Sequence, residues 1–282
     1  KILGSSWKFV WTVYKTGNQK KIKAGKYLLN NKLSVGDIVH IITIGDKSES
    51  EQIKITFPEG WTISQMAKRL NANGFAGDEF ISLSKKPKYF ADKYGYDFLR
   101  DIPEGKDLQG FLFPDTYFFA KNSSAEDIIK KMLSNFKKKV NDDLRNEIEK
   151  QRKNLYEVIT MASILEREVK SPEDKKIVSG IFWQRIKNGQ ALQSCATLAY
   201  VLGENKKQYS YQDTRIQSPY NTYLHKGLPP GPISNPGMEA IIAAIYPTKT
   251  SYNYFLNNPK TGKTVFSKTL EEHNLNKIKN GL

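Results

Sequence analysis

One cysteine, Cys195, and three dispersed histidines, His40, His225 and His273, are all that 282 residues contain of the softest metal ligands. A lone cysteine excludes a disulfide within the chain, although it leaves the compartment open, because many exported bacterial proteins have none. The imidazoles are too scattered for a metal site, so no metal and no cofactor is expected. No stretch reaches the ~18 uninterrupted apolar residues of a membrane span, and no signal peptide opens the chain. The first residues, Lys1-Ile-Leu-Gly-Ser-Ser6, lack an initiator Met and enter abruptly, which reads as a chain trimmed at its N-terminus. Zinc-finger spacing and arginine-rich blocks are missing too. The net charge of +15 therefore points to an anionic polymer or surface, with nucleic acid only weakly indicated.

What remains is globular. Hydrophobic residues make up 39% and charged residues 26%, which excludes wholesale disorder, and the length suggests roughly two domains. A weak internal repeat runs through the first half. Tyr27-Leu-Leu29 is followed by Ser34 and Asp37-Ile-Val39; Tyr117-Phe-Phe119 is followed at the same offsets by Ser124 and Asp127-Ile-Ile129. Each copy predicts a strand, a short polar loop and a serine-capped helix. Between them, a strand over 52–57, the turn Pro58-Glu-Gly60, a helix from Thr62 and a second helix from Asp78 compose a βααβ unit over about 51–119.

From about 123 the pattern is helical. Lys137 to Lys153 is heavily charged and reads as mostly solvated. Ser171-Pro172-Glu173-Asp174 supplies an N-cap, a proline for the first helical position and acids for the first turn of a helix that stops at Asn188-Gly189. A further helix spans about Thr197 to Leu202. The segment 220–237 carries Pro229, Pro230, Pro232 and Pro236, enough to stiffen it into a wall beside a site. Then follow a helix over Met238 to Ile245, a β-hairpin from Tyr252–Leu256 and Thr264–Ser267, and a closing helix from Thr269.

One residue in this scheme carries chemistry. Helical spacing sets Ile159, Ala162, Ser163 and Glu166 on one stripe, so the acid continues a face that otherwise reads as core or pocket wall. A carboxyl beside apolar surface resists ionisation, as a general acid near neutral pH requires. The structural alternative is a helix-end glutamate that swings into water or pairs with an arginine. Glu168, roughly 200° away around the helix, is expected in solvent.

Several strings resemble one family, the membrane-anchored endolytic murein transglycosylases (the MltG or YceG-like proteins). They are Leu108-Gln-Gly-Phe-Leu-Phe-Pro-Asp-Thr-Tyr117, Ala162-Ser-Ile-Leu-Glu-Arg-Glu168, Leu192-Gln-Ser194, Tyr220-Asn-Thr-Tyr223, Gly227-Leu-Pro-Pro-Gly-Pro-Ile233, Asn235-Pro-Gly237 and Phe266-Ser-Lys-Thr-Leu-Glu-Glu-His-Asn274. The resemblance implies an α+β protein: a partial β/α module over 1–50, a LysM-like βααβ module over 51–122, and a mainly helical catalytic domain over 123–282 with a C-terminal β-hairpin. It places the catalytic acid on Glu166. Cleavage of the MurNAc-β-1,4-GlcNAc bond in peptidoglycan glycan strands, leaving 1,6-anhydro-MurNAc ends, is the implied reaction. A lysozyme-like hydrolase and a non-enzymatic wall-binding scaffold are the alternatives.

The implied setting is the bacterial cell membrane, with a single N-terminal helix, absent from this chain, as anchor and the catalytic domain on the cell-wall side. Peptidoglycan synthases are the implied protein partners, and nucleic acid is not among the partners. Gln193, Thr197, Tyr200, Tyr220, Asn221, Thr222, Tyr223 and Asn235 are the candidate sugar contacts, since amides and hydroxyls pair with sugar hydroxyls and tyrosine faces stack on pyranose rings. The chain departs from the family pattern twice. Cys195 stands where an aspartate is usual, and Thr264 where a histidine is frequent. Cys195 reads as a buried structural thiol, and a second carboxylate, if one exists, is sought in Asp213 or Glu239.

Overall fold

The structure, a computed structural model, describes residues 6–23, 27, 29, 33–44, 52–204, 206, 209–258 and 261–281. Contacts divide the chain into two compact units, one comprising residues 1–54 with 118–122 and the other 55–117 with 123–282. In the first unit, α1 (Ser6–Lys15) packs on α2 (Val35–Ile44). Ser34 opens α2: its hydroxyl accepts from the Asp37 N–H at 3.2 Å, and the Asp37 carboxylate accepts from the Ser34 N–H at 2.9 Å. The reciprocal bonds satisfy donors that a helix start leaves free.

The repeat read from the sequence is visible in this detail. Ser124 and Asp127 form the same capping box at the start of α6 (Ala125–Lys139). The strand expected in the first copy falls largely outside the described residues, and Tyr27 and Leu29 themselves are not in a strand.

The second unit contains the candidate site. β1 (Gln52–Thr56) leads through the turn at 58–60 into α3 (Ile63–Ala72), which Thr62 and Gln65 cap reciprocally, and then α4 (Gly77–Ser84). The βααβ expectation is short by one helix. α5 (Pro87–Tyr94) and a 3₁₀ turn, Asp97–Asp101, intervene before β2 (Thr116–Ala120), which pairs with β1. Pro87 takes the first turn of α5, where it costs no hydrogen bond, and Gly95 closes the helix in the left-handed region. Phe90 is fully buried beneath it. Tyr94 and Lys93 of α5 both bond the Glu126 carboxylate on α6.

The helical half follows the sequence closely. After α6 come α7 (Asp142–Lys150), α8 (Leu155–Glu168), α9 (Pro172–Lys187), α10 (Cys195–Leu202) and α11 (Met238–Ile245). The hairpin of β3 (Tyr254–Asn257) and β4 (Thr264–Ser267) and the final helix α12 (Leu270–Lys279) complete the chain. α8 is the axis of the unit, lying against α11, α9 and α10. Ile159, Ala162 and Ser163 are all fully buried, as the stripe predicts. The segment they meet is the proline-rich one: Ser163 Oγ accepts from the Ile233 N–H at 3.0 Å, and Ser234 Oγ donates to the Ser163 carbonyl at 3.1 Å. The wall expected of this segment is therefore present, hydrogen-bonded along the stripe that ends at Glu166.

Candidate active site

Glu166 sits in the last turn of α8, with its side chain 8% exposed. Polar neighbours arrive from three other segments. Lys175, in the first turns of α9 and only 3% exposed, places Nζ 3.1 Å from Glu166 Oε1. The N–H of Gly237, at the head of α11, donates to Oε2 at 3.0 Å. Gly60, in the turn between β1 and α3, lies so close that a Cβ there would be 3.5 Å from Glu166 Cγ. The apolar setting expected for the acid is thus corrected: one helix shows only its own stripe, and the donors come from elsewhere. Each carboxylate oxygen accepts one bond, which leaves a second lone pair on each for a proton or a ligand.

Two more acids lie near this group, one of them beside the ammonium. Glu239 of α11, largely exposed, brings Oε2 to 3.8 Å from Lys175 Nζ. Glu59 lies against Gly237, where a Cβ would overlap Glu59 Oε1. Burial raises the Glu59 pKa first, and the Glu166 charge adds to it, opposed by Lys175. Asp213 is not part of this group; it accepts from Lys206 Nζ at 3.0 Å and the Ser210 N–H at 2.8 Å.

The site is held by Asn235. Its backbone pairs with Trp61, and its carbonyl accepts from the Gly60 N–H at 2.8 Å. Its amide oxygen accepts from the N–H groups of Gly110 (2.9 Å) and Leu112 (3.1 Å), and its amide nitrogen donates to the Trp61 carbonyl at 2.9 Å. Every polar atom of this buried side chain is engaged, which makes it a staple of the turn beside Glu166. Asn235→Ala leaves the Gly110 and Leu112 N–H groups buried without this acceptor, while the Trp61 carbonyl keeps the residue 235 N–H, and is expected to lower stability by about 3 kcal/mol. Urea denaturation checks this; a loss of activity with unchanged stability would instead make the side chain a ligand contact.

Other candidate sugar contacts divide by exposure. Asn221 is buried and bonds the carbonyls of Thr214 and Ile216, so it closes its own turn. Thr197 and Thr222, also buried, bond each other at 2.9 Å, and Thr222 Oγ1 accepts from the Ser194 N–H. Tyr200 and Tyr220 face each other with ring centroids 5.0 Å apart. Tyr200 lines a cavity of about 620 Å³ with Gln65, Lys68, Lys85, Gln109 and Arg167, the residue next to Glu166. Gln193 lies in a different hollow, beside Arg185 and Lys226. The structure brings Tyr223 to Cys195, whose Sγ is 3.2 Å from the phenol oxygen.

Two expectations are overturned here. Cys195 is exposed rather than buried. Desolvation by the surrounding chain and the Glu168 charge raise its thiol pKa, which disfavours the thiolate a nucleophile needs. Glu168 is half-buried rather than free in solvent. Its carboxylate accepts from the Ser194 hydroxyl and, at 3.0 Å, from the Ala196 N–H at the start of α10. Its angular offset from Glu166 leads to another element instead of water. At the other family departure, Thr264 Oγ1 donates to Asn257, whose amide in turn holds the Glu168 carbonyl at 2.7 Å.

Burial raises the Glu168 pKa, against the lowering by Ser194, the Ala196 N–H, Arg167 and Arg185. A raised folded-state pKa means stability present in full at low pH and lost as pH rises through it. Stability is expected to fall above the ordinary carboxylate range, and Glu168→Gln to flatten that fall in urea titrations at several pH values.

Lys175 and Glu59 escaped the sequence reading. For Lys175 there was a signal: it shares a helical face with Val178 and Phe182, both buried, and a lysine on such a face needs an acid. Glu59 gave none, since Pro-Glu-Gly reads simply as a turn.

The chain matches the YceG-like family over residues 1–279, and it belongs to that family. It is 35% identical over 267 residues to the endolytic murein transglycosylase of Bacillus subtilis strain 168, covering 91% of this chain and 72% of that protein. With the endolytic murein transglycosylase of Streptococcus pneumoniae strain D39 it shares 28% identity over 280 residues, covering 92% of this chain and about half (51%) of that longer protein. The crystal structure of a yceG-like protein from Listeria monocytogenes superposes with a TM-score of 0.71 at 35% identity, over 98% of this chain and 91% of that one.

Proposed function

We propose that the protein is an endolytic lytic transglycosylase that cuts the MurNAc-β-1,4-GlcNAc bond within peptidoglycan glycan strands. The observation that carries this reading is the shielded carboxyl of Glu166, set on the stripe of α8 and clasped by Lys175 and the Gly237 N–H. The names of the Bacillus and Streptococcus relatives support the substrate class.

In this mechanism Glu166, protonated, gives its proton to the glycosidic oxygen as the C1–O bond breaks. The carboxylate then takes the proton of the muramyl C6 hydroxyl, whose oxygen bonds C1 and closes a 1,6-anhydro ring. Glu166 ends protonated again, and no water is consumed. Lys175 and the Gly237 N–H stabilise the carboxylate between the two transfers, as preformed donors do for charge that develops during reaction. Tyr200, Tyr220, Tyr223 and Gln193 are the surface candidates for sugar contact. Thr197, Asn221, Thr222 and Asn235 act behind them by holding the loops.

The proposal keeps the division at 1–50, 51–122 and 123–282, with the middle segment as a LysM-like wall-binding module. Attachment to the membrane on the cell-wall side and work beside peptidoglycan synthases belong to it as well. Among the described residues no helix is long and apolar enough to cross a membrane. The excess of lysine suits the anionic stem peptides and a phospholipid surface.

Mass spectrometry of purified glycan strands incubated with the protein tests the reading. Fragments one water lighter than hydrolytic ends are expected. Reducing ends would make the protein a hydrolase, and binding without fragments would make it a scaffold.

A further inference from the structure

Glu59 is delivered to the centre by a segment far from α8 in sequence and is held there by the main chain. The Gly60 N–H bonds the Asn235 carbonyl at 2.8 Å, and Trp61 and Asn235 form a β-bridge. This pairing lays the Glu59 carboxyl on the α-carbon of Gly237, the residue whose N–H holds Glu166 Oε2. Gly237 is the reason it fits: any side chain there would occupy the place of Glu59 Oε1. Glu59 and Glu166 therefore flank one glycine.

We propose that Glu59 is a positioning residue of the reaction, a second carboxyl that shares one proton with Glu166 and thereby keeps Glu166 available as an acid at the working pH. The proposal rests on the reading of Glu166 as the acid. Two carboxyls in one site resist ionising together, so the charge of one favours the proton on the other. The charged groups facing Glu59 are Glu166 from α8, Lys175 from α9 and Glu239 from α11, and its raised pKa agrees with a shared proton. Arg167 passes Gly60 with its aliphatic stem.

The test has two arms. In the first, pH–rate profiles are recorded for the unaltered protein, Glu59→Gln, Glu59→Asp and Gly237→Ala. The alkaline limb of kcat is expected to move down by about one pH unit in Glu59→Gln, a roughly tenfold loss near neutrality, with KM little changed. Gly237→Ala, which displaces Glu59 while keeping the N–H, should move it in the same direction, and Glu59→Asp should restore it. Superimposable profiles, or a change in KM alone, would overturn the proposal.

The second arm needs no activity. Carbon-13 NMR of labelled glutamate carboxyls should show Glu166 titrating in two steps in the unaltered protein and in one, at lower pH, in Glu59→Gln. A Glu166 titration unaltered by Glu59→Gln would overturn the coupling even if the protein cleaves glycan. Coupled titration in a protein that cleaves nothing would instead reject the transglycosylase reading alone.

Discussion

Glu166→Gln is expected to lower the rate of glycan cleavage by roughly 10²–10⁴-fold, the range that positioned acid–base groups supply. The amide has no proton to give at neutral pH and cannot take one from the C6 hydroxyl. It also fits its surroundings badly. Lys175 Nζ and the Gly237 N–H both donate to the native carboxylate, so either orientation of the amide sets an NH₂ against a donor. A stability loss of about 1–3 kcal/mol accompanies the substitution for that reason. Turnover must be measured with a thermal melt beside it, and at temperatures where the variant is folded. A folded variant that still cuts at more than a tenth of the original rate would remove Glu166 from the chemistry.

Lys175→Met has the second large effect, and it falls on stability first. The ammonium is 3% exposed and its partner carboxylate 8% exposed, so the substitution leaves a charge away from water with one N–H as its remaining donor. Breaking a buried pair in this way costs about 3–5 kcal/mol. Methionine matches the length of the lysine stem and keeps most of its packing against Val178 and its neighbours, so the loss reports the charge. Urea denaturation should show a lowered midpoint with an unchanged slope. The Glu166→Gln, Lys175→Met double variant should be less destabilised than the sum of the two, because each single change orphans what the other removes. Additive losses would mean that the pair is incidental.

The path from sequence to site was uneven for physical reasons. Caps and breakers act locally, so α9 with Ser171 and Pro172, α11 ending before Pro247, and the hairpin around Asn257–Gly262 were all legible. Glu166 was legible because its helix is buried along the stripe that ends on it. α5 was hidden by Lys85-Lys86-Pro87, which begins a helix while looking like an interruption. The electrostatics of the site were hidden more deeply. Lys175, Gly237 and Gly60 reach Glu166 from three separate segments, and no periodicity in one segment reports a neighbour from another. Asn235 shows the converse: a polar residue in a proline-rich loop reads as ligand-facing, whereas here its amide is spent on Gly110, Leu112 and Trp61. The exposed Cys195 and the half-buried Glu168 fail for the same reason, since the start of α10 decides both.

The central claim is that one carboxyl serves as acid and then as base and that the sugar's own C6 hydroxyl, instead of water, closes the reaction. Cleavage carried out in oxygen-18 water tests it most directly. New glycan ends are expected to carry no oxygen-18 and to be one water lighter than reducing ends. Oxygen-18 incorporated at the newly formed C1 would contradict it, showing that water is the nucleophile and that a second carboxylate of this centre activates it.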